Sequence, residues 1–158
     1  MSTLPRIGPF RLVRRLAVGG MGEIFLADHL DDDVQSDEEI PQVALKRILP
    51  HLVAERDFVD RFIDEARLMI RLRHPNLLPV YELRRDHWGL YMVMEYLKGY
   101  DLRTINRTLT SLGETWPMDI AVWVIREVCE GLFYAHQQED EHGVSLGLVH
   151  RDVSPSNI

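Results

Sequence analysis

The chain has 158 residues and a single cysteine, Cys129, which excludes an internal disulfide and fits a reducing compartment. Apolar residues make up 46% and charged residues 27%, the balance of a globular protein long enough to bury a core. The net charge of −7 argues against nucleic acid as the main partner, and no apolar run approaches membrane-spanning length. The opening Met1-Ser2-Thr3-Leu4-Pro5-Arg6 lacks the pattern of a signal peptide, so a cytoplasmic protein is expected.

Residues 1–9 read as an N-terminal extension. The run Phe10-Arg11-Leu12-Val13-Arg14-Arg15-Leu16 alternates loosely and predicts a strand, and Glu23-Ile24-Phe25-Leu26-Ala27 predicts a second. Between them stands Ala17-Val18-Gly19-Gly20-Met21-Gly22. Glycines there let the backbone turn sharply and bring bare N–H groups close to an anion, although a plain hairpin turn fits the same residues. Residues 28–42 are polar and acidic and read as a solvated connector. Val43-Ala44-Leu45-Lys46-Arg47-Ile48 predicts a third strand. Lysine is scarce, with only Lys46 and Lys98, so a lysine on an apolar strand is informative. A buried ammonium needs a negative partner, a phosphate or a carboxylate; a lysine snorkelling from an edge strand is the alternative.

The segment from about Glu55 to Arg73 predicts a helix, with Phe58, Phe62, Ala66, Met69 and Ile70 on one face and Glu65 beside it. Asp57, Asp60 and Asp64 read as solvated. Pro75 closes the segment, because the residue before a proline avoids helical geometry. A hairpin follows, Leu77 to Leu83 and Leu90 to Tyr96. Composition turns helical near Lys98, which sets the expected boundary between residues 10–97 and 98–158. Asp101 is placed to cap a helix running to about Leu112. The helix from about Met118 to Gln137 is apolar nearly all round and belongs in a core, with Cys129 as a core thiol. Only about 20 residues follow it, too few to wrap it.

The last residues, His150-Arg151-Asp152-Val153-Ser154-Pro155-Ser156-Asn157-Ile158, carry an Asp and an Asn five apart. Phosphoryl transfer to a hydroxyl needs such a pair: the carboxylate accepts the proton and the amide oxygen holds a metal ion. A short Arg-Asp turn on the surface is the plainer alternative.

Taken in order, the glycine hairpin, the Val-Ala-Leu-Lys strand, the helix with Glu65, His74-Pro75-Asn76, Val93-Met94-Glu95-Tyr96-Leu97 and His150-Arg151-Asp152 resemble the eukaryotic-type serine/threonine protein kinase family, in a bacterial-looking form. The resemblance implies an α+β fold, a five-stranded antiparallel nucleotide-binding lobe with one regulatory helix, then the first helices of a mainly helical lobe. It implies ATP and Mg2+ as cofactors and a protein serine or threonine as acceptor. It assigns phosphate contacts to the backbone of Ala17, Val18, Gly19, Gly20, Met21 and Gly22. Lys46 would contact phosphates and pair with Glu65. Ile24 and Ala44 would enclose the adenine, Met94 would be the gatekeeper, and Glu95 and Leu97 would bind the adenine edge. Asp101 would meet the ribose. Asp152 would be the base, Asn157 the magnesium ligand, and Met69, Val80 and His150 a hydrophobic column. Arg151 would pair with a phosphorylated residue after Ile158.

Three features depart from the family pattern. Ala17 stands at its first glycine. Ser154 stands where these kinases usually carry a lysine aimed at the transferring phosphate, a charge worth a few kcal/mol to the transition state. Asp-Phe-Gly and Ala-Pro-Glu motifs are absent from these residues. The expectation is therefore the front half of a kinase domain, inactive on its own, with a membrane anchor possible downstream; the alternative is a pseudokinase that binds nucleotide without transferring phosphate.

Overall fold

The computed structural model describes residues 6–30 and 41–158; most of the expected acidic connector and the first five residues of the expected extension lie outside them. Contacts group the described residues into two units. The first runs up to Arg73 and resumes over Leu78–Tyr96; the second comprises His74–Leu77 and Leu97–Ile158.

The first unit is a wholly antiparallel sheet of six strands, β1 (Arg6–Ile7), β2 (Phe10–Val18), β3 (Gly22–His29), β4 (Gln42–Ile48), β5 (Val80–Asp86) and β6 (Gly89–Glu95). Their order is β1-β2-β3-β4-β6-β5. The five expected strands are present, and β1 is an addition. It pairs Ile7 with Phe10 across Gly8, whose φ of 54° suits glycine, and Pro9. Two residues are too few to show a period, which is why β1 is invisible in the sequence. β5 starts at Val80, three residues later than expected, because Pro79 has no N–H to give a ladder.

Alternation along the strands sorts side chains onto two faces. One face holds Ile7, Phe10, Leu12, Phe25, Ala27, Val43, Leu45, Tyr91 and Val93, with Trp88 packed against them. The other holds Ala44, Ile48, Val80, Met92 and Met94, together with Phe62 and Ala66 of helix α1 (Arg56–Arg71). Burying a side chain the size of Phe62 or Met92 contributes about 1.5–3 kcal/mol. Val59, Met69 and Ile70 complete the buried stripe of α1. Phe58 does not join it, contrary to expectation: it lies one position round the helix, against the Arg61 guanidinium at 6.0 Å.

In the second unit, α2 (Leu102–Ser111) begins at Asp101, whose carboxylate accepts from the Thr104 N–H at 2.7 Å, the expected cap. α3 (Met118–His136) buries Gly131. There a Cβ would lie 3.2 Å from the Asn76 carbonyl oxygen, so the turn at His74–Leu77 and the helix touch nearly backbone to backbone. Asn76 Nδ2 donates to the Glu127 carbonyl and carboxylate at 2.9 and 2.8 Å, and His74 packs on Tyr134. Hydrogen bonds from Arg126 and then Asn76 hold the Glu127 carboxyl below its usual range. Met118, Val122, Trp123, Ile125 and Phe133 stay exposed, so α3 does not reach the all-round burial its composition predicts. Cys129 is likewise exposed rather than a core thiol. Among the described residues no helix is long and apolar enough to cross a membrane.

Candidate active site

The glycine turn between β2 and β3 is shorter than expected. Ala17 and Val18 belong to β2, paired with Ile24 and Glu23 beyond a bulge at Arg15/Ala17. An alanine Cβ fits a strand, so substitution at the first glycine position extends the ladder instead of loosening the turn. The Gly19 N–H is already taken by the Gly22 carbonyl at 2.8 Å. The amides of Gly20 and Met21 have no acceptor among the described residues, which makes them the anion-ready pair.

On β4 the register sets Lys46 opposite Ile24, and Ala44 opposite Met94 of β6, so these side chains share the face that packs α1. Lys46 Nζ lies 2.6 Å from Glu65 Oε1, with side chains 28% and 44% exposed. The lysine is therefore paired, not snorkelling, and enough solvent remains to admit a second anion. Met69 and Val80 pack in the same cluster as Met94. The Glu95 N–H donates to the Pro79 carbonyl at 3.0 Å.

The second unit carries the other half of the predicted set. Asp152 is exposed, and its N–H donates to His150 Nδ1 at 3.3 Å. Asn157 Nδ2 donates to both the Asp152 carbonyl and Oδ2 at 2.9 Å. These bonds tie Asp152 and Asn157 together across the loop. The Asn157 amide oxygen remains as a hard donor for a cation. Arg151 has φ 64°, the only positive value outside glycine among the described residues, a strain of about 1–3 kcal/mol of the kind concentrated at functional loops. Leu102 and Arg103 N–H groups donate to the Ile158 and Pro155 carbonyls, anchoring the loop to the start of α2. Asp101 spends one oxygen on its helix, and the Thr104 N–H holds its pKa below the ordinary value. Leu97, also of this unit, is exposed. An apolar groove along α2 and α3, lined by Leu102, Trp116, Val124 and Ile125, has no ionisable wall and offers no rival chemistry.

A sheet with a glycine turn, a strand lysine paired to a helix glutamate, and a loop joining Asp152 to Asn157 match the protein kinase domain family over residues 10–158. The chain belongs to that family. Among curated relatives of this chain, the tyrosine-protein kinase MasK of Myxococcus xanthus is 43% identical over 96% of it. The serine/threonine-protein kinase Pkn1 of Myxococcus xanthus is 33% identical over 97%. The chain spans 23% and 19% of those relatives' lengths. Among solved structures, the Mycobacterium tuberculosis PknI kinase domain superposes with a TM-score of 0.69 at 27% identity, covering 99% of this chain and 56% of that one.

Two contacts beside the candidate site have no signal in the sequence. The Asn76–Glu127 contact joins residues 51 apart, which no local pattern signals. A pairing of Glu23 with Arg47 at 2.7 Å behind Lys46 becomes visible only once the β3–β4 register is known.

Proposed function

We propose that this chain carries the nucleotide-binding and catalytic-loop portion of a protein kinase that moves the γ-phosphate of ATP to a serine or threonine hydroxyl of a protein. The observation that carries the reading is the formed Lys46–Glu65 pair at 2.6 Å in a protein kinase fold. Residues 10–97 bind the nucleotide and 98–158 open the helical lobe. The Gly20 and Met21 amides cover the phosphates, and Lys46, oriented by Glu65, contacts them. Ile24, Ala44 and Met94 wall the adenine, Glu95 and Leu97 meet its edge through the backbone, and Asp101 offers its second oxygen to the ribose. Asp152 accepts the hydroxyl proton. Asn157 Oδ1 suits Mg2+, which prefers oxygen donors and takes most of its remaining ligands from phosphate and water. Bound there, the ion would neutralise charge on the phosphates. Among the described residues no cluster of three His, Cys, Asp or Glu competes for it.

The names of Pkn1 and of PknJ from Mycobacterium tuberculosis support a serine or threonine acceptor. The name of MasK favours tyrosine as the second reading. Phosphoamino-acid analysis after labelling by the full-length protein with ATP and Mg2+ decides between them. Phosphoserine or phosphothreonine is expected, and phosphotyrosine alone would replace the acceptor assignment. ATP binding with no transfer at all would make the protein a pseudokinase.

A further inference from the structure

The face of the sheet opposite Lys46 holds an ion pair with no direct part in the proposed chemistry. Glu23 immediately follows the last glycine, and Arg47 immediately follows Lys46. The two are register partners, so both point away from the face that Lys46 shares with α1. Glu23 is 6% exposed, one of two buried carboxylates among the described residues. Its Oε1 accepts from Arg47 Nε at 2.7 Å, and Arg15 NH1 lies 3.7 Å from Oε2. The Arg47 guanidinium sits 4.2 Å from the Trp88 ring centroid and 5.5 Å from that of Phe25. Trp88 in turn packs edge-on to Phe25 and Tyr91.

Two further attachments end on the same few residues. The Leu49 N–H donates to the Met21 carbonyl at 3.2 Å. Gly22 lies so close to the Arg47 carbonyl oxygen that a Cβ would stand 2.7 Å from it. Residues 21–23, the downstream end of the glycine turn, are thus tied to residues 47–49, which continue the strand bearing Lys46. Gly20, at the tip, has nothing within 4 Å of where a Cβ would be. The turn is anchored at its base and open at its tip.

We infer that Glu23 and Arg47, clamped under Trp88, are positioning residues that set the glycine turn over Lys46 for the phosphates of ATP. Two physical effects combine. A buried carboxylate–guanidinium pair resists sliding between β3 and β4, because parting the partners leaves an uncompensated buried charge. The pair also cancels a negative charge that would otherwise stand next to the phosphate-facing amides and repel the nucleotide. Neither residue touches the substrate. The inference rests on the kinase reading and names what holds its phosphate end.

The test compares Mg·ATP with adenosine, which shares the base and ribose but has no phosphates. Both affinities are measured on the full-length protein and on its Arg47→Met and Glu23→Gln variants. Arg47→Met is expected to weaken Mg·ATP about tenfold, raise KM for ATP more than it lowers kcat, and leave adenosine binding unchanged. Glu23→Gln keeps an oxygen for Arg47 Nε but removes its counter-charge, so a smaller loss of Mg·ATP affinity than in Arg47→Met is expected, again with adenosine binding unchanged. If Arg47→Met does not fold, Arg47→Lys serves, since it keeps the charge but loses the flat stack and the fork, and the same preferential loss of ATP is expected. Equal losses for ATP and adenosine, or no loss of either, would overturn the positioning role. An unmodified protein that binds neither ligand would overturn the kinase reading and this inference with it.

Discussion

Replacing Gly22 by alanine puts a methyl group against backbone that has nowhere to go. The new Cβ would sit 2.7 Å from the Arg47 carbonyl oxygen and 3.7 Å from its carbon. Both strands are held in register at that point, Gly22 opposite Ile48 and Glu23 opposite Arg47. Reaching ordinary contact at 3.4 Å requires β3 and β4 to part by about 0.7 Å. Overpacking of this kind costs about 1–3 kcal/mol. For a unit of this size about 2 kcal/mol lowers Tm by roughly 8–15 °C. Gly20→Ala is the matched control: the same methyl meets nothing within 4 Å. That variant should stay within about 0.5 kcal/mol of the unmodified protein. Thermal unfolding followed by circular dichroism, run on both variants side by side, reads the difference. Equal melting temperatures for the two would refute the close approach, and with it the anchoring of the turn on β4.

Two other outcomes follow from the same coordinates. Burial, then the hydrogen bond to Asp86, pushes the Tyr91 phenol from an ordinary 10 up to about 12. The folded state then holds a proton that the unfolded chain releases first, so stability is intact below pH 10 and falls as pH rises from 10 to 12. Denaturation midpoints across that window should drop, and Tyr91→Phe should remove this part of the drop; a Tyr91→Phe profile identical to the unmodified one would refute it. Lys46→Met should change stability by less than about 1 kcal/mol, because the pair it breaks is partly solvated. The same variant should lose ATP binding, and a large loss of Tm without loss of nucleotide affinity would contradict that reading.

Much of this architecture is legible in the residues themselves. Alternation located five strands, and three- and four-residue spacing located α1, because both periods persist over a whole element. Asp101 announced α2 by its chemistry as a cap. What stayed hidden is either too short to show a period or set by strand register and packing. β1 is two residues long, and its pairing depends on a turn at Gly8. Phe58 and Val59 both suit an apolar stripe, and only the sheet chooses between them. Of the candidate site, Lys46, Glu65, Asp152 and Asn157 were singled out by residue type, order and the family resemblance, which also implied the Lys46–Glu65 pair; the structure forms that pair and adds the contact between Asp152 and Asn157. The consumption of the Gly19 amide by Gly22 and the Glu23–Arg47 pair have no sequence signal, because each is set by the register of strands on either side of a turn.

The central claim is that Asp152 is the proton acceptor of a phosphoryl transfer. Transfer of labelled γ-phosphate from ATP to a protein acceptor, measured on the full-length protein and its Asp152→Asn variant, tests it directly. Asparagine keeps the shape and can still accept the Asn157 hydrogen bond, but it cannot take up a proton. Transfer by the unmodified protein is expected, with a loss of about 10²–10⁴-fold in kcat for the variant and ATP binding retained. Equal transfer by both proteins would contradict the assignment.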